Sequence, residues 1–212
     1  MSGTMTGFNK TKSGGYQKND VWVKKWVDYS SKYGLGYLLS NGCVGVFFND
    51  STKILLNGNQ NNFDYIERKQ NEKQDTVVSH TMDKYPQELT KKVTLLQHFK
   101  SYLENDSKKL NLENASEMSQ TVYVKKWMKT RHAIMFRLSN KIVQVNFTDK
   151  TEIILSSENK IVTYVNKKGD RSNYPLATAL ECDNPEMTKR LKYTKEILTH
   201  MLNNNASGKE SQ

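Results

Sequence analysis

The chain has 212 residues, which suits one large domain or two units of roughly 100 residues. At 36% hydrophobic and 10% aromatic residues it is a folded chain with a lean core, not a disordered tract. No apolar run reaches the roughly 18 residues of a membrane span, and the net charge of +10 favours an anionic partner: nucleic acid, an acidic membrane surface or phosphorylated protein.

Residues 1–19 are rich in Gly, Ser, Thr, Asn and Lys, lack an apolar period and read as a flexible leader with no signal peptide. A first unit is expected over residues 20–104. Gly36–Leu39 reads as a strand, and Ser40-Asn41-Gly42 as a turn. Val44, Val46 and Phe48 then alternate at strand period, and Asn49-Asp50-Ser51 turns the chain again. Strands over Lys53–Leu56, Phe63–Arg68 and Thr76–Ser79 complete a meander. Thr90 is a candidate helix cap that would place Val93, Leu96, Phe99 and Leu103 on one apolar face. Residues 105–120, rich in Asn, Ser, Lys and Glu, read as a linker.

A second unit over residues 121–203 repeats the plan. Val21-Trp22-Val23-Lys24-Lys25-Trp26 returns as Val122-Tyr123-Val124-Lys125-Lys126-Trp127. Ser40-Asn41 answers to Ser139-Asn140, Asp50 to Asp149, Leu56 to Leu155 and Tyr65 to Tyr164. Strands are expected over Ala133–Leu138, around Val143, Val145 and Phe147, and over Ile153–Leu155, Ile161–Val165 and Ser172–Pro175. Asn184-Pro185 opens a helix with its face at Leu191, Thr194, Ile197, Leu198 and Met201. Residues 204–212 read as a flexible tail. A duplication predicts a seam between similar modules, a common place for a ligand.

Chemistry-bearing motifs are sparse. Cys43 and Cys182 are lone thiols, and the four histidines show no ligand spacing, so no metal site is expected. There is no P-loop, no G-x-S-x-G elbow and no kinase H-R-D or D-F-G motif. The residues therefore favour binding over catalysis. The basic residues come in scattered pairs such as Lys24-Lys25 and Lys167-Lys168, which read as solvated surface more than as a nucleic-acid stripe.

From Lys25-Trp26-Val27-Asp28-Tyr29-Ser30 through Tyr33-Gly34-Leu35-Gly36-Tyr37, the chain resembles the first polo box of polo-like kinases. Gly45-Val46-Phe47-Phe48-Asn49-Asp50-Ser51-Thr52, Tyr65-Ile66-Glu67-Arg68 and Thr94-Leu95-Leu96-Gln97-His98-Phe99 continue that resemblance. Leu138-Ser139-Asn140, Val143-Gln144-Val145-Asn146-Phe147 and Arg190-Leu191-Lys192-Tyr193 resemble the second box. The resemblance covers residues 21–202 and implies an α+β fold. Each box would be a six-stranded antiparallel sheet with a C-terminal helix, the two packed as a pseudosymmetric β-sandwich. It implies a non-catalytic regulatory region of a serine/threonine kinase, needing no cofactor itself, with ATP and Mg in the kinase domain of the full-length protein. The implied ligand is a Ser-phosphoserine or Ser-phosphothreonine peptide lying between the boxes. The implied locations lie in the cytoplasm and nucleus: centrosome or basal body, kinetochore and spindle midzone.

The resemblance implies a phosphopeptide site at Trp26, Asp28, Tyr29, Lys150 and Glu152, with Trp26 gripping the serine before the phosphoresidue. A flat indole offers apolar area and one N–H to an extended peptide, and cations make the stronger hydrogen bonds to phosphate. From the residues alone Trp26 serves equally well as core. Trp127 is assigned to structure. The family's His-x-Lys phosphate pair is replaced here by Lys150-Thr151-Glu152, which puts an anion where the family has a cation. Lys129, Arg131 and Lys141 are the candidate compensating cations. Two ligand readings stay open, a phosphorylated motif or an unphosphorylated partner such as the protein's own kinase domain or a second copy. A nucleic-acid or membrane-surface binder is the rival from a different class.

Overall fold

The computed structural model describes residues 20–69, 72–104 and 121–203. The leader at 1–19, the linker at 105–120 and the tail at 204–212 fall outside the described residues. The first repeat runs β1 (Val23–Tyr29), β2 (Gly34–Leu39), β3 (Val44–Phe48), β4 (Lys53–Leu56), β5 (Asn62–Glu67), β6 (Thr76–Thr81) and α1 (Thr90–Glu104). The second runs β7 (Val124–Lys129), β8 (Ala133–Leu138), β9 (Ile142–Phe147), β10 (Glu152–Ser156), β11 (Ile161–Val165), β12 (Arg171–Pro175) and α2 (Pro185–Asn203). Each repeat is an antiparallel meander with strands in chain order, so β1 and β6 edge one sheet and β7 and β12 the other. The fold is α+β, as the resemblance implied.

Strand alternation gives each sheet two buried faces. Val46, Phe48 and Ile54 pack under α1 with Val93, Leu96 and Phe99, while Val145, Phe147 and Ile153 pack under α2 with Leu191, Ile197 and Met201. The opposite faces meet in a third core that draws Leu35, Tyr37, Leu55 and Ile66 from one repeat and Ile134, Phe136, Ile142 and Ile154 from the other. This shared core makes the seam a hydrophobic interface, worth about 25 cal/mol for each Å² of apolar surface removed from water.

The duplicated Val-x-Val-Lys-Lys-Trp motif opens each sheet as its edge strand. A bulge falls between Val23 and Lys25 and again between Val124 and Lys126. The bulge breaks the two-residue alternation, which hides both strands from a pattern reading. The second lysine then reaches back to the end of its own helix: Lys25 Nζ donates to the Leu103 carbonyl at 3.5 Å, and Lys126 Nζ to that of Met201 at 3.0 Å. Such contacts satisfy last-turn carbonyls that lack an intrahelical partner.

The tight turns repeat as well. Asp50 Oδ1 accepts from the Thr52 N–H and hydroxyl, and Asp149 Oδ1 does the same for Thr151. Lys92 on α1 pairs with Asp50 at 2.8 Å, and Arg190 on α2 pairs with Asp149, so each helix is latched to the same turn of its own sheet. Thr90 does not cap α1 as expected. A 3-10 turn over Gln87–Leu89 already runs into the helix, and the Thr90 hydroxyl donates to the Gln87 carbonyl. Asn184 is the acceptor at the start of α2, taking the Met187 N–H at 3.0 Å.

The bulged strands are gripped from across the seam. Gln144 accepts from the Val23 N–H at 2.7 Å and donates to the Val23 carbonyl at 2.8 Å. The buried Tyr37 hydroxyl accepts from the Val124 N–H at 3.1 Å. Gly45 makes room for that tyrosine, because a Cβ there would sit 2.2 Å from the Tyr37 ring. Buried backbone groups released by a bulge need a partner, and the opposite repeat supplies it.

Candidate functional site

A cleft of about 350 Å³ opens beside β1, lined by Lys24, Lys25, Trp26, Tyr102, Leu103 and Asn146. Its walls are therefore the first edge strand, the end of α1 and strand β9 of the second repeat. Trp26 faces the seam, with its ring centroid 6.3 Å from that of Phe136. It is partly buried, so the two roles left open for it coexist: one part of the indole packs into the shared core and another lines the cleft.

Asp28 lies two residues on and faces the same way. Lys129 Nζ donates to it at 2.7 Å and stands 6.0 Å from the Trp26 ring centroid. Burial works to raise the Asp28 carboxyl, but Lys129 and the Ser30 hydroxyl and N–H outweigh it and hold it below the usual carboxylate range. Lys129 thus bridges the repeats at the mouth of the cleft. Tyr29 points to the other face of β1, is 46% exposed and stacks on Tyr33 at 5.9 Å. The structure places it apart from Trp26, although one edge strand carries both.

Lys150 sits in the β9–β10 turn with φ of 69° and is exposed. The left-handed conformation comes from the Asp149–Thr151 turn that closes around it. Arg131 belongs to the β7–β8 turn at the same end of the sheet and donates to the His132 ring at 2.9 Å. Lys141 is different. It lies at the opposite end of β9, about 17 Å of strand away, and pairs with the exposed Glu158 at 3.6 Å. It does not stand beside Glu152, because residues at opposite ends of one strand cannot share a small site.

Glu152 starts β10 on the seam face, paired with Asn146 on β9 and Val165 on β11. Asn146 Nδ2 donates to Glu152 Oε1 at 3.1 Å. Asn146 Oδ1 in turn accepts from Gln144 Nε2 at 3.0 Å, and that Gln144 amide grips Val23. The ladder fixes the Asn146 amide with its N–H toward Glu152. Burial pushes the Glu152 carboxyl above its usual range, partly offset by the charge of Arg171, which follows Val165 in the same row of the sheet. Arg171 lies over the Trp22 ring at 4.7 Å. Sequence reasoning missed Asn146 and Arg171 as site neighbours. The signal was polar side chains on strands whose other repeat is apolar at the same place.

Lys53 occupies the Glu152 position of the first repeat, paired with Phe47 and Ile66. It is 4% exposed and stands 3.9 Å from Asp75, which also takes Arg68 at 2.9 Å and the Tyr123 hydroxyl at 2.9 Å. Among the described residues no group of three or more His, Cys, Asp or Glu is placed to hold a metal ion, and no helix is long and apolar enough to cross a membrane.

These features define a duplicated α+β module built around an inter-repeat cleft. The sequence matches the family described as the POLO box duplicated region over residues 31–93 and 130–191, more than half of the chain. It is 56% identical over 172 residues to the maize probable serine/threonine-protein kinase CCRP1, covering 79% of this chain and 27% of that one. It is 38% identical over 185 residues to the serine/threonine-protein kinase PLK1 of Xenopus tropicalis, covering 84% and 30%. The fold superposes on the budding yeast Cdc5 polo-box domain solved with an Spc72 phosphopeptide, with a TM-score of 0.74, 26% identity and coverage of 86% and 70%. The chain belongs to the polo-box family. It spans under a third of the length of these two kinase relatives.

Proposed function

We propose that this chain is the non-catalytic targeting region of a polo-like cell-cycle kinase, and that the cleft between its boxes docks Ser-phosphoserine or Ser-phosphothreonine segments of partner proteins. The carrying observation is the placement of Trp26: half in the shared core, half in the cleft, with Lys129 at its ring. A rigid indole anchored in a core presents apolar area at little entropic cost. The exposed Lys150 and Arg131, at one end of the second sheet, supply cations for the phosphate. The yeast neighbour binds a phosphopeptide, which supports the reading. On this reading docking concentrates the kinase on primed substrates at the centrosome or basal body, kinetochore and spindle midzone, in cytoplasm and nucleus. ATP and Mg would serve the kinase domain of the full-length protein.

Titrating a Ser-phosphothreonine peptide and its unphosphorylated twin tests the proposal. Tighter binding of the phosphorylated peptide is expected, and Trp26→Ala should weaken it by at least tenfold, the scale of a buried aromatic anchor. Equal affinity for the two peptides overturns the phosphate part.

One observation favours a second reading. Glu152, hydrogen-bonded to Asn146 on the seam face, stands two residues from Lys150, where a carboxylate would repel a phosphate. The cleft would then take unphosphorylated motifs, the protein's own kinase domain or a second copy. Glu152→Lys should raise phosphopeptide affinity selectively under the first reading and leave it unchanged under the second.

A further inference from the structure

Glu152 is an ionisable side chain that feels the charge of Arg171 in its sheet row but has no ion pair among the described residues. Its strand position turns it to the seam, where burial raises the cost of its charge. Its hydrogen bond comes from a neutral amide, Asn146, and Oε1 takes it. Among the described residues no cation comes within ion-pairing distance of the carboxylate. The equivalent charge in the first box, Lys53, has Asp75 beside it, itself held by Arg68 and Tyr123. A half-buried carboxylate normally gathers such partners from its own chain.

Its surroundings lead to the cleft. Asn146, the donor to Glu152, is itself a wall of the cleft that Trp26 lines. The Val23–Gln144–Asn146 ladder holds the carboxylate in place from across the seam, leaving Oε2 for a further donor. Lys150 lies two residues away in the chain at the exposed turn. Two opposite charges at this spacing complement a ligand that itself carries an anion and a cation close together.

We propose that Glu152 reads a cationic side chain, so that the peptide this cleft prefers carries a Lys or Arg near its phosphorylated residue. The inference rests on the phosphopeptide reading of the cleft and adds a second determinant to it. A guanidinium fits best, because its fork can give two parallel N–H bonds to one carboxylate. The effect also has a sign that general electrostatics cannot imitate. A chain of net charge +10 repels added positive charge on a ligand, so a gain from arginine must be local.

The test uses Ser-phosphothreonine peptides in which arginine, or its neutral isostere citrulline, is scanned through the three positions on each side of the Ser-phosphothreonine pair. Binding is measured by calorimetry to the native chain and to Glu152→Gln. The glutamine keeps an acceptor for Asn146, and a thermal melt checks that the variant folds. At one or more positions arginine should bind about tenfold tighter than citrulline, the scale of one charge-assisted bond to a half-buried group. That ratio should fall to about one in Glu152→Gln and below one in Glu152→Lys. A ratio near one at every position overturns the proposal, as does an arginine gain that survives in Glu152→Gln. The unphosphorylated series separates the two claims. Equal binding with and without phosphate removes the phosphate reading, while an arginine-to-citrulline ratio that still depends on Glu152 keeps this one. Failure of every peptide to bind removes both.

Discussion

Lys53 and Glu152 occupy one place in the repeat and meet opposite fates. Each starts a fourth strand, each faces the seam, and each is flanked by the same pair of neighbouring strands. In box 1 the chain closes over the site. Asp75, just ahead of β6, comes to 3.9 Å from Lys53, and Arg68 and Tyr123 complete the cluster. In box 2 the hairpin spans only residues 166–170. Asn166 winds it tightly, accepting from the Lys168 and Asp170 N–H groups, with Gly169 at φ of 87°. Arg171, the residue that follows, acts on Glu152 through its charge, but among the described residues none forms an ion pair with it. The two hairpins thus leave one duplicated seam position ion-paired within its own chain and the other without an ion pair among the described residues.

The largest expected effect comes from opening the sealed site. Asp75→Ala leaves the buried Lys53 ammonium without its counter-charge and should cost about 3 kcal/mol or more of unfolding free energy in urea titration. Asp75→Asn keeps an acceptor for Tyr123 and should cost less. A loss under about 1 kcal/mol for the alanine variant would mean that the cluster behaves like a surface pair, and the contrast with Glu152 would collapse.

The second effect is smaller and concerns pH. Burial works to raise the Asp75 carboxyl, but the Tyr123 hydroxyl, Lys53 and Arg68 together hold it below the ordinary range. A depressed carboxyl gives stability that is present above its unfolded value and is lost as pH falls through the folded one. Glu152 has the opposite sign. Burial raises it, so the folded form favours the proton, and stability falls as pH rises from the unfolded value through the folded one. Glu152→Gln should therefore stabilise the chain at pH 7, by up to about 1 kcal/mol, and the gain should vanish in acid. Asp75→Asn should flatten the acid limb instead. Stability curves of the two variants with the same slope change would remove the distinction between sealed and open sites.

How far the sequence reveals this contrast depends on the range of the interactions. The meander was legible because alternation, Asx turns and the repeat are local or periodic signals. So was the helix face of α1, although the Thr90 cap was not, since a 3-10 turn extends the helix backward. The edge strands β1 and β7 were hidden by their bulges. In the site, it was the family resemblance that pointed to Trp26 and to the reversed charge at Glu152, and the structure sets Trp26 on the wall of the cleft. The Gln144–Val23 bond, the Tyr37–Val124 bond and the Asp75 cluster could not be read from the sequence. They join residues far apart in the chain across a seam whose register no local pattern encodes. Lys141 looked equivalent to Lys129 as a nearby cation, and only the strand direction separates them.

The smallest expected effect lies at the mouth of the open cleft. Asp28 and Lys129 each stand two residues after the repeated tryptophan, so the duplication brings equivalent positions face to face and gives them opposite charges. Their side chains are 17% and 51% exposed, so the ammonium is largely hydrated and screened by salt. A double-mutant cycle of Asp28→Asn and Lys129→Met should give a coupling to stability of about 0.5 kcal/mol, well below the Asp75 cluster. Binding should respond differently. Lys129 is fixed over Trp26 by Asp28, and releasing it changes the charge and the ring contact that a docked peptide meets. Lys129→Met should weaken the Ser-phosphothreonine peptide severalfold, with a loss that shrinks as salt rises. Coupling above about 2 kcal/mol in stability, with unchanged peptide affinity, would make this pair a second structural clasp and not part of the reading surface.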